Sequence, residues 1–254
     1  MLKLLKFIII FNCFYAVSQS PEELFRYANK AYNDGQYERA IKYYDSIISI
    51  GQHSPELYFN LANSHYKLNS IALSILNYEK ALLLNPKNKS TLNNLQYSKN
   101  MMLDNFAILP RTDIELFFNS VLNFTTSDGW ALIFIISLWF FVLLLFLFTK
   151  SSKPFSKRVL FLSSVFFLII CLATLFNAIS KEKFEKNSIS AIVATNSESF
   201  RSEPNIRSEV LLTIHEGTKV LIVEEVEDWV KVKLVNGNSG WVLKSNLYPI
   251  IFAK

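Results

Sequence analysis

Hydrophobic and polar positions fall into four different rhythms along the chain. Lys3 and Lys6 precede an apolar stretch, Phe7 to Phe14, and small residues at Ala16 and Ser18 lead into Gln19. That charged, apolar, small-residue order is the layout of a secretory signal, so residues 1–18 are expected to be a signal peptide cut after Ser18. An uncleaved anchor is the alternative, although the run is short for a full span. Lipid attachment at Cys13 is disfavoured, because Phe11 and Asn12 stand where small residues would be wanted. Further on, Trp130 to Thr149 and Val159 to Ile179 each run about twenty residues without a charge. At ~1.5 Å per residue either can cross a ~30 Å hydrocarbon core. Two transmembrane helices, 130–149 and 159–179, joined by a turn over 150–158, are expected. Neither run holds an Asp, Glu, Lys, Arg or His that could carry a proton or ion, so both read as anchors. Trp130 suits an interfacial position and Trp139 a packed one.

Between these apolar runs the pattern repeats. Ala28, Gly35, Tyr37, Ala40, Tyr44 and Ile47 align with Ala62, Asn69, Ile71, Ser74, Tyr78 and Ala81 at a constant offset of 34 residues. That period resembles the tetratricopeptide repeat, a helix-turn-helix unit in which a small residue on the first helix lets the second approach. Residues 20–53 and 54–88 form the two expected repeats. Asn85-Pro86 closes the second. Adding the offset again sets Asn94 and Leu95 against Asn60 and Leu61, so residues 89–105 are expected to be a capping helix that completes a domain spanning 20–105. The departures from the repeat pattern are Asn69 for Gly, Ser74 for Ala, and Ala31 where an aromatic is usual.

Such arrays bind extended peptides along the face made by their first-type helices. Carried over, the resemblance implies a peptide-binding face of Phe25, Asn29, Tyr32 and Asn33 from the first repeat, and Phe59, Asn63, Tyr66 and Lys67 from the second. Asn29 and Asn63 are the strongest candidates, because an amide can hydrogen-bond a peptide backbone of any sequence. Simple solvation of both is the alternative. Phe25 and Phe59 stand where the carboxylate-clamp subclass has lysine, which argues against recognition of a free C-terminus. Residues 106–127 are aromatic and apolar, with Phe106, Phe117, Phe118 and Phe124 among them. They are expected in the membrane interface, or else packed on the repeats.

The last sixty or so residues turn to short alternating runs rich in Val and Ile, which signal strands: 190–194, 210–214, 219–223, 229–235 and 240–242. Asn236-Gly237 marks a tight hairpin. Four blocks in order, Phe200-Arg201-Ser202-Glu203-Pro204, Glu216-Gly217-Thr218-Lys219-Val220, Trp229-Val230-Lys231-Val232 and Gly240-Trp241-Val242, resemble bacterial SH3-like barrels over residues 188–250. Phe200, Arg201, Trp229 and Trp241 are the candidate binding surface this implies; a core or structural role is the alternative, favoured for the two tryptophans. The fold class expected is therefore a multidomain membrane protein: an all-α tetratricopeptide repeat solenoid, a two-helix transmembrane hairpin and an all-β SH3-like barrel.

Composition changes this picture little. Apolar residues make up 51% of the chain, with 22 Phe against 6 Gly, which is too apolar for a single soluble domain. The net charge of +5 could suggest nucleic acid. It sits, however, at Lys3 and Lys6 and in Lys150, Lys153, Lys157 and Arg158, while both bulky segments are close to balance. A basic turn stays cytoplasmic, so both segments are expected outside the cytoplasm of a bacterial inner membrane, and no nucleic-acid partner is expected. His53, His65 and His215 fall in different elements, and Cys13 and Cys171 lie in apolar runs. No metal, cofactor, disulfide or catalytic constellation is expected, and the chain reads as a non-enzyme.

The whole order, signal, repeats, aromatic stretch, two spans with a basic turn and an SH3-like tail, resembles the BatE-like proteins of the Bacteroides aerotolerance operon. Membership implies partnership with membrane proteins bearing von Willebrand A domains and with an associated ATPase, in envelope integrity or oxidative-stress tolerance. The competing expectation is a peptidoglycan-binding or cell-wall-sensing membrane protein.

Overall fold

The computed structural model describes residues 20–107, 112–187 and 189–252, so the expected signal at 1–18 lies outside the described residues. Helices α1 (Pro21–Asn33) and α2 (Tyr37–Ser49) pack as a hairpin. Helices α3 (Pro55–Lys67) and α4 (Ile71–Leu84) repeat it, and α5 (Lys89–Lys99) follows. Their starts repeat too. Ser20, Ser54 and Asn88 each accept a hydrogen bond from the backbone N–H three residues on, at 3.2, 3.1 and 3.1 Å. Pro21 and Pro55 hold the first turn, where no N–H partner is needed. Ala28 and Ala62 are fully buried at the helix crossings, with Tyr44 and Tyr78 filling the space beside them.

The departures from the repeat pattern have local answers. Asn69 occupies the left-handed region at φ 58°, as Gly35 does at φ 76° one repeat earlier. Asparagine tolerates that conformation better than most residues with a side chain. Ser74 is fully buried, and its hydroxyl meets that of Ser98 on α5 at 3.0 Å. Position 65, one period after Ala31, holds a buried histidine.

The capping helix ends at Lys99 rather than running to 105. Residues 101–107 alternate between exposed and half-buried, the period of an extended segment, with Met102, Asp104 and Phe106 turned inward. The reason is a second body packed against them.

That body is a seven-stranded antiparallel sheet of β1 (Ser190–Val193), β2 (Glu198–Arg201), β3 (Val210–Ile214), β4 (Lys219–Val226), β5 (Trp229–Lys233), β6 (Ser239–Leu243) and β7 (Leu247–Pro249). Its order is β3-β2-β6-β5-β4-β1-β7, so the ladder is open with β3 and β7 at its edges. Gly237 at φ 87° makes the β5–β6 turn that Asn236-Gly237 signals. Val193, Phe200, Ile214, Val220, Val230, Val232 and Val242 form its core, and Phe106 packs against that core instead of lying with the juxtamembrane aromatics.

The sheet and the repeats share a buried seam. Ile192 and Ile250 join Ala62, Ile75 and Tyr78 in one apolar cluster. Phe252 lies 5.3 Å from the His53 ring and 5.6 Å from the Tyr58 ring. Glu79 on α4 receives Lys219 from the sheet at 2.7 Å and Lys99 from α5 at 3.3 Å. Asp104 Oδ2 accepts from the His215 backbone N–H at 2.7 Å and the Thr218 hydroxyl at 2.6 Å, while Oδ1 meets His215 Nδ1 at 2.6 Å. Between these contacts sits Gly217, at φ 86°. A Cβ there would come 3.0 Å from Ile75 Cδ1, so both backbone conformation and close approach call for glycine.

After α6 (Asp113–Leu122) come two helices long and apolar enough to cross a membrane, α7 (Ser127–Lys150) and α8 (Pro154–Asn187). Only Ser151 to Lys153 separate them, so the expected turn is shorter than 150–158, and α8 stays helical through the charged stretch after Ile179. Besides Trp130, the buried positions among the described residues of the hairpin are Ser137, Ser164, Cys171 and Thr174, where small side chains let α7 and α8 close on each other. Each hydroxyl bonds to its own helix backbone. Trp139 does not pack between the helices as expected: it is 72% exposed on the outer face of α7. Trp130 is buried, and its Nε1 donates to the Leu122 carbonyl at 3.3 Å.

Two predictions concern this assembly. Replacing Asp104 by Ala strips an acceptor from His215 and Thr218, and should lower unfolding stability by about 2–4 kcal/mol and speed proteolysis between 100 and 112. Burial opposes the Asp104 charge, but hydrogen bonds from Thr218 and His215 outweigh it and hold the carboxyl below its usual range. Its contribution is therefore complete at neutral pH and is lost only as pH falls through that lowered value. His65 behaves differently: burial lowers its pKa to about 4. The unfolded chain takes up a proton near pH 6.5 and the folded one does not, so stability should fall by up to about 3 kcal/mol between pH 6.5 and 4. Thermal unfolding of His65→Gln across that window should be flatter than that of the unsubstituted chain.

Candidate functional site

The first-type helices α1, α3 and α5 line up side by side. A groove of about 240 Å³ opens along them, walled by Tyr32 from α1, Asn63, Tyr66 and Lys67 from α3, Asn94 and Tyr97 from α5, and Tyr78 from α4 behind. No wall comes from the sheet. Four of the eight expected peptide-binding residues thus meet in one place, Tyr32, Asn63, Tyr66 and Lys67. The other four do not. Phe25 packs edge-on against Tyr44 at 5.9 Å, and Phe59 against Tyr78 at the same distance. Both fill the helix interfaces, as large rings do when a buried neighbour is within reach. Asn33 is exposed at the end of α1, outside the groove walls.

The asparagines have a use within the fold. Asn29 Oδ1 accepts from the Tyr44 hydroxyl at 2.6 Å and from Asn60 Nδ2 at 3.1 Å. One period later, Asn63 Oδ1 accepts from the Tyr78 hydroxyl at 2.5 Å and from Asn94 Nδ2 at 3.0 Å. Burial pushes both phenols well above their ordinary range, so they remain protonated donors. Each asparagine therefore ties its own second-type helix to the next first-type helix, and its carbonyl is already engaged. What the groove offers a ligand is the amide N–H edge of Asn63, the ring faces of Tyr32, Tyr66 and Tyr97, and the Lys67 ammonium: donors for backbone carbonyls and flat apolar surface for side chains. Tyr97, 61% exposed, and Asn94 were not among the expected residues. The repeat period signals both, since they lie 34 after Asn63 and Asn60.

In the sheet body the candidate surface is mostly interior. Phe200 is fully buried, and its ring lies where a Cβ on Gly240 would come within 2.3 Å of Cε1. It is a core residue and cannot be a contact surface. Trp241 is 8% exposed, with Lys231 Nζ 5.8 Å from its ring centroid. Trp229 is half-buried at the start of β5. Arg201 Nη1 donates to the Ser208 carbonyl at 2.8 Å and so braces the loop between β2 and β3.

Residues 199–248 match the family model of the bacterial SH3 domain. Residues 55–88 match the tetratricopeptide repeat. No curated protein matches the chain. The repeat match covers α3, α4 and the turn that follows, the unit supplying Asn63, Tyr66, Lys67 and Tyr78 to the groove. The SH3 match covers β2 to β6 and reaches into β7, so it includes the His215–Thr218 loop that docks on Asp104. Among the described residues no group of three His, Cys, Asp or Glu side chains is placed to hold a metal ion.

Truncating Asn63 to Ala leaves the Tyr78 hydroxyl and the Asn94 amide without their shared acceptor. A loss of about 1–3 kcal/mol in chemical denaturation is expected, against about 1 kcal/mol for Tyr78→Phe, which removes one donor and leaves Asn94 paired.

Proposed function

We propose that the chain is a non-catalytic, membrane-anchored scaffold: a short tetratricopeptide array and an SH3-like module, whose sheet is open where a closed barrel is expected, are fused into one unit that holds a protein partner in the α1/α3/α5 groove. The observation that carries this reading is the seam. Residues 20–107 and 189–252 pack on each other through buried side chains, so they lie on the same side of any membrane the chain crosses, and an even number of crossings must separate them. Two apolar helices, α7 and α8, lie between. Lys150, Lys153, Lys157 and Arg158 cluster at the far end of that hairpin, which favours an orientation with the basic end in the cytoplasm and the fused unit on the outer face of a bacterial inner membrane. The groove is left open by the docking, since the sheet contributes nothing to its walls.

The order of modules resembles the BatE-like proteins of the aerotolerance operon. On that resemblance the partners are neighbouring membrane proteins with von Willebrand A domains, in a complex serving envelope stress tolerance. A second reading, peptidoglycan binding or wall sensing, draws on the match to bacterial SH3 domains.

A photo-cross-linking residue at Tyr66 in the groove, with Arg39 on the exposed face of α2 as control, tests the first reading in native membranes. Adducts with integral membrane proteins should form at 66 and not at 39. Equal yields at both positions, or adducts with cytosolic proteins alone, would overturn it. Loss of the Tyr66 adducts on adding soluble muropeptides would support the wall-binding reading instead.

A further inference from the structure

Helix α6 has no buried residue, yet six of its ten residues are apolar. Five of these six share one side, and Leu116, 50% exposed, stands on the other. Ile114, Phe117, Phe118, Val121 and Leu122 follow the i, i+3, i+4, i+7, i+8 pattern of a single helix face, while Asp113, Glu115 and Asn119 take the other side. Ile114, Phe117 and Phe118 are 69%, 64% and 66% exposed, whereas Val121 and Leu122, nearer the hairpin, are half-covered. The helix is also set up to form without tertiary packing. Thr112 Oγ1 accepts from the Glu115 N–H at 3.3 Å and Glu115 Oε2 accepts from the Thr112 N–H at 3.1 Å, a complete capping box.

What covers that face is indicated by where the helix is fastened. Only residues 123–126 separate α6 from α7. Trp130, at the start of α7, donates its indole N–H to the Leu122 carbonyl. Lys181 Nζ, beyond the apolar stretch of α8, donates to Asn123 Oδ1 at 2.6 Å. The Phe124 ring lies tilted beside Trp130, with centroids 6.2 Å apart. The C-terminal end of α6 is therefore held at the level where both long apolar helices end, which is the headgroup region if those helices span. Resting on that membrane reading, we infer that α6 is an in-plane membrane helix, its Ile114–Phe117–Phe118 face sunk into the acyl boundary of the outer leaflet and its acidic side in water.

Free amphipathic helices usually need basic residues to reach an anionic surface. Residues 112–124 contain none, and the charges of α6 itself are Asp113 and Glu115. The covalent connection to α7 replaces that attraction by keeping the face at high local concentration beside the bilayer. Insertion driven by apolar burial alone should not depend on anionic lipid.

Spin labels on single cysteines read this directly, in the full chain with Cys13 and Cys171 replaced by Ala and held in phosphatidylcholine nanodiscs. Labels at Phe117, at Asn119 on the opposite face, and at Leu143 in α7 are compared for collision with oxygen and with a water-soluble nickel chelate. The label at 117 should resemble that at 143, with an oxygen-to-nickel ratio several-fold above that at 119, unchanged when a fifth of the lipid is phosphatidylglycerol. A nickel-accessible label at 117, or one shielded from both reagents by protein, beside a lipid-exposed label at 143 would overturn the inference and leave the spanning reading intact. Nickel access at 143 as well would overturn both.

Discussion

The loop between β3 and β4 turns over a single carboxylate, and that contact governs how the rest of the molecule can be arranged. Asp104 sits on the strap leaving α5, and its two oxygens are engaged by His215 and Thr218 from the far end of the sequence. Glu79 repeats the arrangement one helix away, with Lys99 and Lys219 as partners. Between them Ile75 comes close to Gly217, and Ile192 and Ile250 join the α4 face in one apolar cluster; the two carboxylates are largely covered, while their lysine and histidine partners keep contact with solvent. The cost of breaking these pairs falls mainly on the carboxylates: Asp104 and Glu79 are the covered members, and removing their partners leaves a largely buried charge with less compensation. The seam thus behaves as part of a core, although the segments forming it are separated by more than eighty residues of chain. A chain that closes on itself in this way cannot set its two ends on opposite sides of a bilayer.

The parts of this architecture that were legible in the sequence are those written in periodic form. A 34-residue offset located both helix pairs, and the same offset reappears in the caps Ser20, Ser54 and Asn88 and in the paired Asn–Tyr bonds. Alternation located most of the strands. β2 and β7 escape it: β2 reads Glu-Ser-Phe-Arg, with a buried glutamate and no Val or Ile, and β7 has three residues with a proline at its end. The offset starts a helix near 89 and no sequence signal stops it before 105, whereas the period-two burial of the strap over residues 101–107 is imposed by the docked sheet. Long-range docking leaves no local mark. Phe106 looked like part of an aromatic juxtamembrane run for the same reason.

The candidate site was legible in half. Spacing identifies which residues share a helix face, and Tyr32, Asn63, Tyr66 and Lys67 do line one groove. It does not reveal whether a polar atom on that face is already engaged. The carbonyl oxygens of Asn29 and Asn63 are taken by partners fifteen and thirty-one positions away, on other helices. Phe200 was misread in the opposite sense: its block marks the SH3 module, but the ring fills the space left by Gly240. Sequence blocks of this kind record what a fold needs inside as readily as what it presents outside.

The connections between the fused unit and the hairpin are short, and this bears on how a scaffold could hold a partner. Helix α8 runs unbroken from Pro154 to Asn187, and β1 begins at Ser190, so the sheet is joined to the hairpin almost directly. On the other side, the strap is fixed to the sheet at Asp104 and Phe106 before the chain reaches α6. The unit is therefore held by two attachments, one at each end of the seam's sequence. A body tethered at one flexible point samples all orientations above a membrane, whereas two short attachments restrict both its height and its tilt. Under the proposed scaffold role, the groove along α1, α3 and α5 would meet a membrane-bound partner in a narrow range of orientations, which lowers the entropy lost on association without any added contact.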